Sequence, residues 1–127
     1  MNPTAFEAPW VKDRFAMRGR DIAFREFEAP IRIGDEEKLA PDVLKIDVEG
    51  AELSVIRGFA ATIRKCRPVI FSENSDYRVT EHLLELGYTV WMSDPKKPLR
   101  IWRFAGTRVN TYHLPREKLT QYGLADN

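Results

Sequence analysis

The stretch from Leu44 to Glu52, which reads LKIDVEGAE, limits the possible folds of this chain more than any other. Branched apolar residues alternate with polar ones as far as Val48, and this period predicts a strand. Gly50 then gives the backbone the freedom that a turn needs. Glu52 falls in the first turn of the next helix, where the helix dipole favours a carboxylate. We therefore predict a buried strand that runs directly into a helix.

Three acidic residues, Asp47, Glu49 and Glu52, crowd this strand-to-helix junction. In open α/β sheets, ligands bind at the carboxyl ends of the strands, so these acids are candidates for a functional site. The alternative is that they only cap the helix and keep its end hydrated. A short motif does not by itself decide between the two interpretations.

Strand and helix patterns continue after this junction. Apolar residues at helical spacing predict a helix over 51–65, in which Gly58 would pack closely against the sheet. The later elements are a strand over 69–73, a helix over 76–86 capped by Asp76, a strand over 88–92, a hairpin formed by 99–104 and 109–114, and a terminal helix over 115–122. The N-terminal third has weaker patterns: a short helix near 11–17, strands near 22–27 and 31–33, and a helical turn over 36–39.

This order of elements predicts an α/β fold whose sheet is mainly parallel, with an antiparallel hairpin at its edge. At 127 residues the chain is expected to form a single domain over 1–127. Within it, the sequence leaves the segment 1–42 poorly defined, and the clear pattern begins at Val43.

Composition excludes several classes of protein. The net charge of +1 comes from interspersed acids and bases, which argues against nucleic acid or a membrane surface as a partner. No apolar run is long enough to span a bilayer, and the N-terminus lacks the pattern of a signal peptide, so we predict a cytoplasmic protein. The single cysteine, Cys66, fits a reducing compartment, and two histidines are too few for a zinc cluster.

The stretch from Leu44 to Glu52, together with the residues that follow it as far as Glu73, closely resembles the FkbM-type family of S-adenosylmethionine-dependent methyltransferases. That family has a Lys-Ile-Asp-Val-Glu-Gly strand end, an acidic helix start, a later glycine, and Arg-Pro before a strand that ends in glutamate. The matching positions here are Lys45 to Gly50, Glu52, Gly58, Arg67, Pro68 and Glu73. The match is clear over 43–74 and looser to about 115, so 43–115 would be the FkbM-like core.

The resemblance implies a Rossmann-like methyltransferase half-sheet with strand order 4-5-7-6, in which the 99–114 pair supplies the reversed strand. It also implies S-adenosylmethionine as cofactor and a small-molecule hydroxyl, on a sugar or a polyketide-like compound, as substrate. The family's short Leu-Asp motif before the central strand has only a partial counterpart here, Ile33-Gly34-Asp35.

One part of the family pattern is missing. None of the seven glycines is close enough to another to form the G-x-G turn that lets a backbone approach the cofactor. We therefore interpret the chain as the second half of a methyltransferase and expect it to bind S-adenosylmethionine weakly or not at all by itself. It would then form a homodimer or pair with a missing N-terminal half. The alternative is a non-catalytic α/β module that acts in dimerisation or partner binding.

The candidate site lies where two strands end. Asp47 ends one strand, Glu73 and Asn74 end the next, and adjacent parallel strands lie about 5 Å apart. The resemblance and this placement predict Asp47, Glu49 and Glu73 as catalytic residues that orient an acceptor hydroxyl. Asp47 and Gly50 would line the cofactor pocket. Lys45, Glu52, Asn74 and His113 are the predicted substrate-contacting or supporting residues.

Two of these residues have plainer interpretations. His113 could serve as a base, but a packed structural histidine is favoured for its position in a strand. Lys45 could pair with Glu73 or another neighbouring acid, and this structural pairing is favoured over a catalytic role. No metal is predicted; a magnesium site formed by Asp47, Glu73 and Asn74 is the disfavoured alternative.

Overall fold

The computed structural model describes residues 27–75, 77–93, 101–103 and 109–124. The chain divides into two compact units, Met1–Ile31 and Arg32–Asn127. Of the first unit, residues 27–31 are described, and they have no regular secondary structure. The helix predicted near 11–17, nearly all of the strand predicted near 22–27 and the predicted Asp76 cap lie outside the described residues.

The second unit contains all the described helices and strands. In chain order they are a first 3-10 helix Gly34–Glu37, β1 Val43–Ile46, α1 Glu52–Gly58, α2 Ala60–Cys66, β2 Val69–Ser75, α3 Tyr77–Glu85, β3 Tyr88–Ser93, β4 Ile101–Arg103, β5 Val109–Pro115 and a C-terminal 3-10 helix Arg116–Tyr122. The strand predicted at 31–33 is wrong, because these residues have no regular structure, and the helical turn begins two residues earlier than predicted. No helix among the described residues has the length and apolar character needed to cross a membrane.

The described strands form one five-stranded sheet in the order β1-β2-β5-β3-β4. Strands β1 and β2 are parallel, and the three other pairs are antiparallel. The α/β class is confirmed, and the reversed strand lies between β2 and β3, as the order 4-5-7-6 requires. The prediction of a mainly parallel sheet is wrong. Because β5 runs against both of its neighbours, β2 and β3 share a direction without pairing.

The antiparallel pair at the sheet edge is β3 with β4, not the predicted hairpin of 99–104 with 109–114. Trp91 lies opposite Arg103, whereas β5 pairs with β2 on one side and β3 on the other. The physical reason is backbone pairing: Thr111, His113 and Leu114 of β5 are buried, and a strand with a neighbour on each edge can satisfy its buried N–H and C=O groups. The three-residue β4 is short enough to serve as an edge.

The single helix predicted over 51–65 is two helices that meet at Phe59. Its backbone leaves helical geometry, with φ of −106°, although its N–H still donates to the carbonyl of Val55. The Phe59 ring packs on Gly34, where an added Cβ would overlap the ring. The predicted packing of Gly58 on the sheet is also wrong, since the nearest atom to a Cβ added there is the backbone nitrogen of Gly34, at 3.7 Å.

The two faces of the sheet bury different clusters. One face, the helix face, packs against all three α-helices through Ile46, Ile56, Ile63, Ile70, Val79, Leu83 and Tyr88. The other, the back face, packs Trp91 and Leu114 against Leu119 of the C-terminal 3-10 helix. Because side chains alternate along a strand, Lys45 and its neighbour Phe71 belong to the back face.

Candidate functional site

The parallel pairing of β1 and β2 brings three of the predicted site residues together. Lys45 lies beside Phe71 and Ile46 beside Ser72, so Asp47 and Glu73 follow at the same level. The ammonium of Lys45 is 3.2 Å from Asp47 Oδ2 and 3.5 Å from Glu73 Oε1. One cation therefore bridges two carboxylates at the carboxyl ends of adjacent strands. We call Lys45, Asp47 and Glu73 the rim cluster.

The rim cluster is open to solvent and electrostatically coupled. The hydrogen bond to Asp47, and then the charge of Glu73, raise the pKa of Lys45 above its usual value. The side chains keep exposed fractions of 57% for Lys45, 42% for Asp47 and 32% for Glu73. A ligand can thus reach the carboxylate oxygens, and the cluster carries one net negative charge.

The turn after β1 is held by Glu52. Glu49 and Gly50 both have positive φ, 49° and 104°, and Gly50 accepts this geometry without steric cost. The N–H of Gly50 donates to Glu52 Oε1 over 2.9 Å. Glu52 is only 5% exposed at the start of α1, whereas Glu49 is exposed. Glu52 therefore holds the turn in place. Glu49 belongs to the same turn, is exposed, and is two residues from Asp47 of the rim cluster in the sequence.

His113 does not join the rim cluster. It is fully buried on β5, between Ile70 and Val90, and it lies on the helix face while Lys45 lies on the back face. Burial lowers the pKa of His113 to about 4. The remaining predicted residue, Asn74, is described in its backbone only.

The rim cluster does not resemble a metal site. Among the described residues, no group of three or more histidine, cysteine, aspartate or glutamate side chains could hold a metal ion. The ammonium of Lys45 already lies within 3.5 Å of both carboxylates that a cation would use. The magnesium alternative built on Asp47 and Glu73 therefore finds no support in the described part of the chain.

Comparison with known families agrees with the motif. The sequence model of the methyltransferase FkbM domain matches residues 30–95, just over half of the chain. The chain belongs to the FkbM methyltransferase domain family. A search of curated proteins and a search of solved structures each returned no match.

Arg67, a motif residue of this FkbM domain, lies at the opposite end of β2 from the rim cluster. Its guanidinium donates to both carboxylate oxygens of Glu117, over 2.6 and 3.0 Å, and to the carbonyls of Leu86 and Gly87. It also stacks 4.5 Å from the centre of the Tyr88 ring. The motif Arg-Pro therefore joins α2, the end of α3 and the C-terminal 3-10 helix. Sequence spacing gave no sign of this role, because the partners are up to 50 residues away.

Asp35, from the partial Leu-Asp motif of the FkbM domain, has a structural role that the sequence did not reveal. Its carboxylate accepts hydrogen bonds from the N–H groups of Ala61, at 2.9 Å, and Thr62, at 2.8 Å. These bonds, that of Ala61 first, lower the pKa of Asp35. Asp35 thus caps α2 across 26 residues of chain, and no local sequence pattern marks such a distant cap.

The FkbM family implies S-adenosylmethionine as methyl donor, and the described residues match only part of that ligand. The rim carboxylates suit its reacting end. By contrast, the Glu49–Gly50 turn is exposed, and no atom lies within 4 Å of a Cβ added at Gly50, so the turn forms no cradle for a nucleoside.

Proposed function

We propose that this FkbM domain forms the acceptor side of an S-adenosylmethionine-dependent O-methyltransferase. The observation that carries the proposal is the rim cluster, in which Lys45 links Asp47 and Glu73 at the carboxyl ends of parallel strands. That end of a parallel strand pair is where α/β enzymes bind ligands. The family match over 30–95 includes every residue of the cluster.

Two partly exposed carboxylates suit a hydroxyl substrate. Asp47 and Glu73 can each accept a hydrogen bond from an acceptor hydroxyl, which fixes its oxygen and increases its electron density. Lys45 reduces the repulsion between the two acids and holds their oxygens in place. Substrates of this kind are neutral alcohols, such as those on sugars or polyketide-like compounds.

The methyl donor, in this proposal, is held mainly by a cofactor-binding half that is not among the described residues. Two features support this division: the sequence holds no G-x-G turn, and the Glu49–Gly50 turn offers no cradle. The catalytic residues proposed here are Asp47 and Glu73. Glu49 is placed beside the donor, and Lys45 and Glu52 are positioning residues.

The proposal predicts that Asp47→Asn abolishes methyl transfer, because the neutral amide lacks the negative charge and basicity with which the carboxylate polarises the hydroxyl. The assay measures labelled methyl transfer to a panel of sugar and polyketide-like alcohols, with the domain joined to its cofactor-binding half. The thermal midpoint should change by less than about 2 °C, since exposed ion pairs contribute little to stability.

The matched control is Glu85→Gln, an equal loss of charge at an exposed position of α3, which should leave transfer intact. A large loss of thermal stability in Asp47→Asn, with transfer retained, would assign the carboxylate a structural role and contradict the proposal.

A further inference from the structure

Two aromatic side chains lie beside the rim cluster on the back face of the sheet. Phe71 of β2 is the neighbour of Lys45 on one side and of Tyr112 of β5 on the other. The centres of the two rings are 4.8 Å apart, and their planes are inclined by 47°. Both side chains are partly exposed. We call Phe71 and Tyr112 the aromatic pair.

The carboxylates of the rim cluster lie on the same face, one row further along the strands. Asp47 is two residues beyond Lys45, and Glu73 is two residues beyond Phe71. Side chains two residues apart on a strand share a face, and the contacts of Lys45 with both carboxylates agree with this placement. The two rows are separated by roughly 7 Å along the strands, which is close to the width of one sugar ring.

Strand β2 has a bulge where the carboxylate row begins. Ser72 pairs with Thr111 and Ser75 pairs with Val109, so three steps along β2 correspond to two steps along β5. The extra residue therefore lies at 73–74. Bulges occur often next to active sites, where they redirect a side chain, and this one includes a carboxylate of the rim cluster.

The same row contains an amide. Asn110 of β5 is exposed, lies opposite the bulge, and shares a face with Tyr112, which is two residues further on. An amide donates as well as accepts hydrogen bonds, whereas the carboxylates of Asp47 and Glu73 only accept. The row thus has the donor and acceptor groups that hydroxyls require, next to apolar ring surface.

We propose that the aromatic pair and the rim cluster together bind a pyranose sugar as the methyl acceptor. One face of the sugar ring stacks on Phe71 and Tyr112, and its hydroxyls reach Asp47 and Glu73. This inference rests on the proposed function, and it names the acceptor as a sugar in preference to a polyketide-like alcohol.

The chemistry of the ligand supports this choice. A pyranose ring presents C–H groups on its face and hydroxyls at its edge, and the negative face of an aromatic ring attracts the C–H groups. The acyclic chain of a polyketide-like alcohol has no such face and loses more conformational freedom when it is bound. Because the rim cluster carries one net negative charge, neutral sugars should bind better than acidic ones.

The test measures sugar binding by the complete 127-residue chain, without methyl transfer. The probes are the methyl glycosides of glucose, galactose, mannose and rhamnose. In NMR, saturation should pass from the protein to the C–H protons of at least one glycoside, and the ring signals of Phe71 and Tyr112 should shift. Mannitol, which has the hydroxyls but no ring, and a pentanediol, which resembles a polyketide fragment, should do neither.

Variants of the aromatic pair test the stacking contact. Phe71→Leu should weaken glycoside binding by roughly three- to tenfold, and Phe71→Tyr, which keeps a ring, should bind as the wild type does. The matched control is Tyr77→Leu, which removes a 57% exposed aromatic side chain of α3, and it should leave binding unchanged. Ring signals that shift with none of the glycosides, or shift equally with mannitol, would overturn the inference.

Methyl transfer by the domain joined to its cofactor-binding half separates this inference from the proposed function. Phe71→Leu should raise KM for a sugar with little change in kcat, because the stacking contact is equal in the ground and transition states. Transfer to polyketide-like alcohols alone would overturn the sugar site and leave the proposed function standing. Glycoside binding at Phe71 without any transfer would support the sugar site and contradict the proposed function.

Discussion

Within the described part of the chain, several buried side chains of the helix face and of α3 carry polar atoms that have no hydrogen-bond partner. Among the described residues these atoms are Ser72 Oγ, Thr80 Oγ1, Tyr88 Oη and both ring nitrogens of His113. A buried polar group without a partner costs free energy, and a charged one costs more. His113 is therefore held in its neutral form, with its pKa lowered to about 4 by burial.

This histidine predicts a specific pH dependence of stability. Its pKa is about 4 in the folded state against 6.5 unfolded, so between these values the unfolded chain binds more protons. Stability should then fall as the pH is lowered from 6.5 to 4, by up to roughly 3 kcal/mol.

His113→Leu should flatten this slope in urea unfolding measured across that pH range, and it should not lower stability at pH 5. His82→Gln, at a partly buried position of α3, is the matched control for the loss of a histidine. An unchanged slope in His113→Leu would mean that another group titrates.

At the scale of elements, α2 is held at both ends by charged side chains from distant segments. Asp35 caps its N-terminus through Ala61 and Thr62. Lys118 donates to the carbonyls of Cys66, the last residue of α2, and of Arg67, the residue after it, over 3.4 and 2.7 Å. Each charge has the sign that the helix dipole favours at that end. A seven-residue helix has little stability alone and depends on such contacts.

Asp35→Ala should therefore free the amides of Ala61 and Thr62 and lower the thermal midpoint by a few degrees, because two N–H groups lose their acceptor. Hydrogen exchange and thermal unfolding are the measurements. Glu36→Ala, an exposed acid in the same 3-10 helix, should have little effect, and Asp35→Asn should fall between the two. Unchanged exchange at 61 and 62 would contradict the capping role.

Arg67 forms the second link between elements. The ion pair with Arg67 lowers the pKa of Glu117 to about 2, and the hydrogen bond to Glu117 is the main cause of the raised pKa of Arg67. Since Glu117 has a lowered pKa when folded, its stabilising contribution is complete above about pH 4.5 and is lost as the pH falls towards 2.

Arg67→Lys should lower the free energy of unfolding by about 1 to 3 kcal/mol in urea unfolding at pH 7. An ammonium group cannot replace both the bidentate hydrogen bonds to Glu117 and the hydrogen bonds to two carbonyls. Arg64→Lys, at an exposed position of α2, should be nearly neutral. Equal effects of the two variants would show that Arg67 contributes only its charge.

At the scale of the molecule, helices cover one face of the sheet. The crossovers β1–α1–α2–β2 and β2–α3–β3 advance in the same direction, and right-handed crossovers then place their helices on the same face. The back face is packed mainly near β3 and β5, by the C-terminal 3-10 helix. Among the described residues, this one-sided cover is what one half of a doubly wound sheet would have, and it is consistent with the proposal that the cofactor is held mainly by residues other than those described.

The proposed division predicts that the 127-residue chain binds S-adenosylmethionine weakly or not at all in isothermal titration. The described residues offer the ligand a carboxylate rim but no cradle for its nucleoside. A low-micromolar dissociation constant would contradict the proposed division and would indicate that this chain holds the cofactor by itself. Loss of that binding in Asp47→Asn, but not in Glu85→Gln, would then locate the cofactor at the rim.

The site could be predicted from sequence to the extent that it depends on neighbouring strands. Lys45 and Asp47 belong to one strand and Glu73 to the next, so parallel pairing was enough to bring them together. His113 was harder to assign, because the face on which it lies depends on where β5 enters the sheet. Asp35 and Arg67 could not be assigned at all, since their partners are distant in the sequence.

The strand-turn-helix at 43–58, the family and the acidic rim could be predicted without a structure, because all three depend on residues that are near one another in the chain. Three features became visible only in the folded chain: β5 separates β2 from β3, α1 and α2 meet at Phe59, and motif residues such as Arg67 act far from the site. These outcomes depend on which surfaces are buried together. Burial is a property of the assembled chain, and local propensity does not encode it.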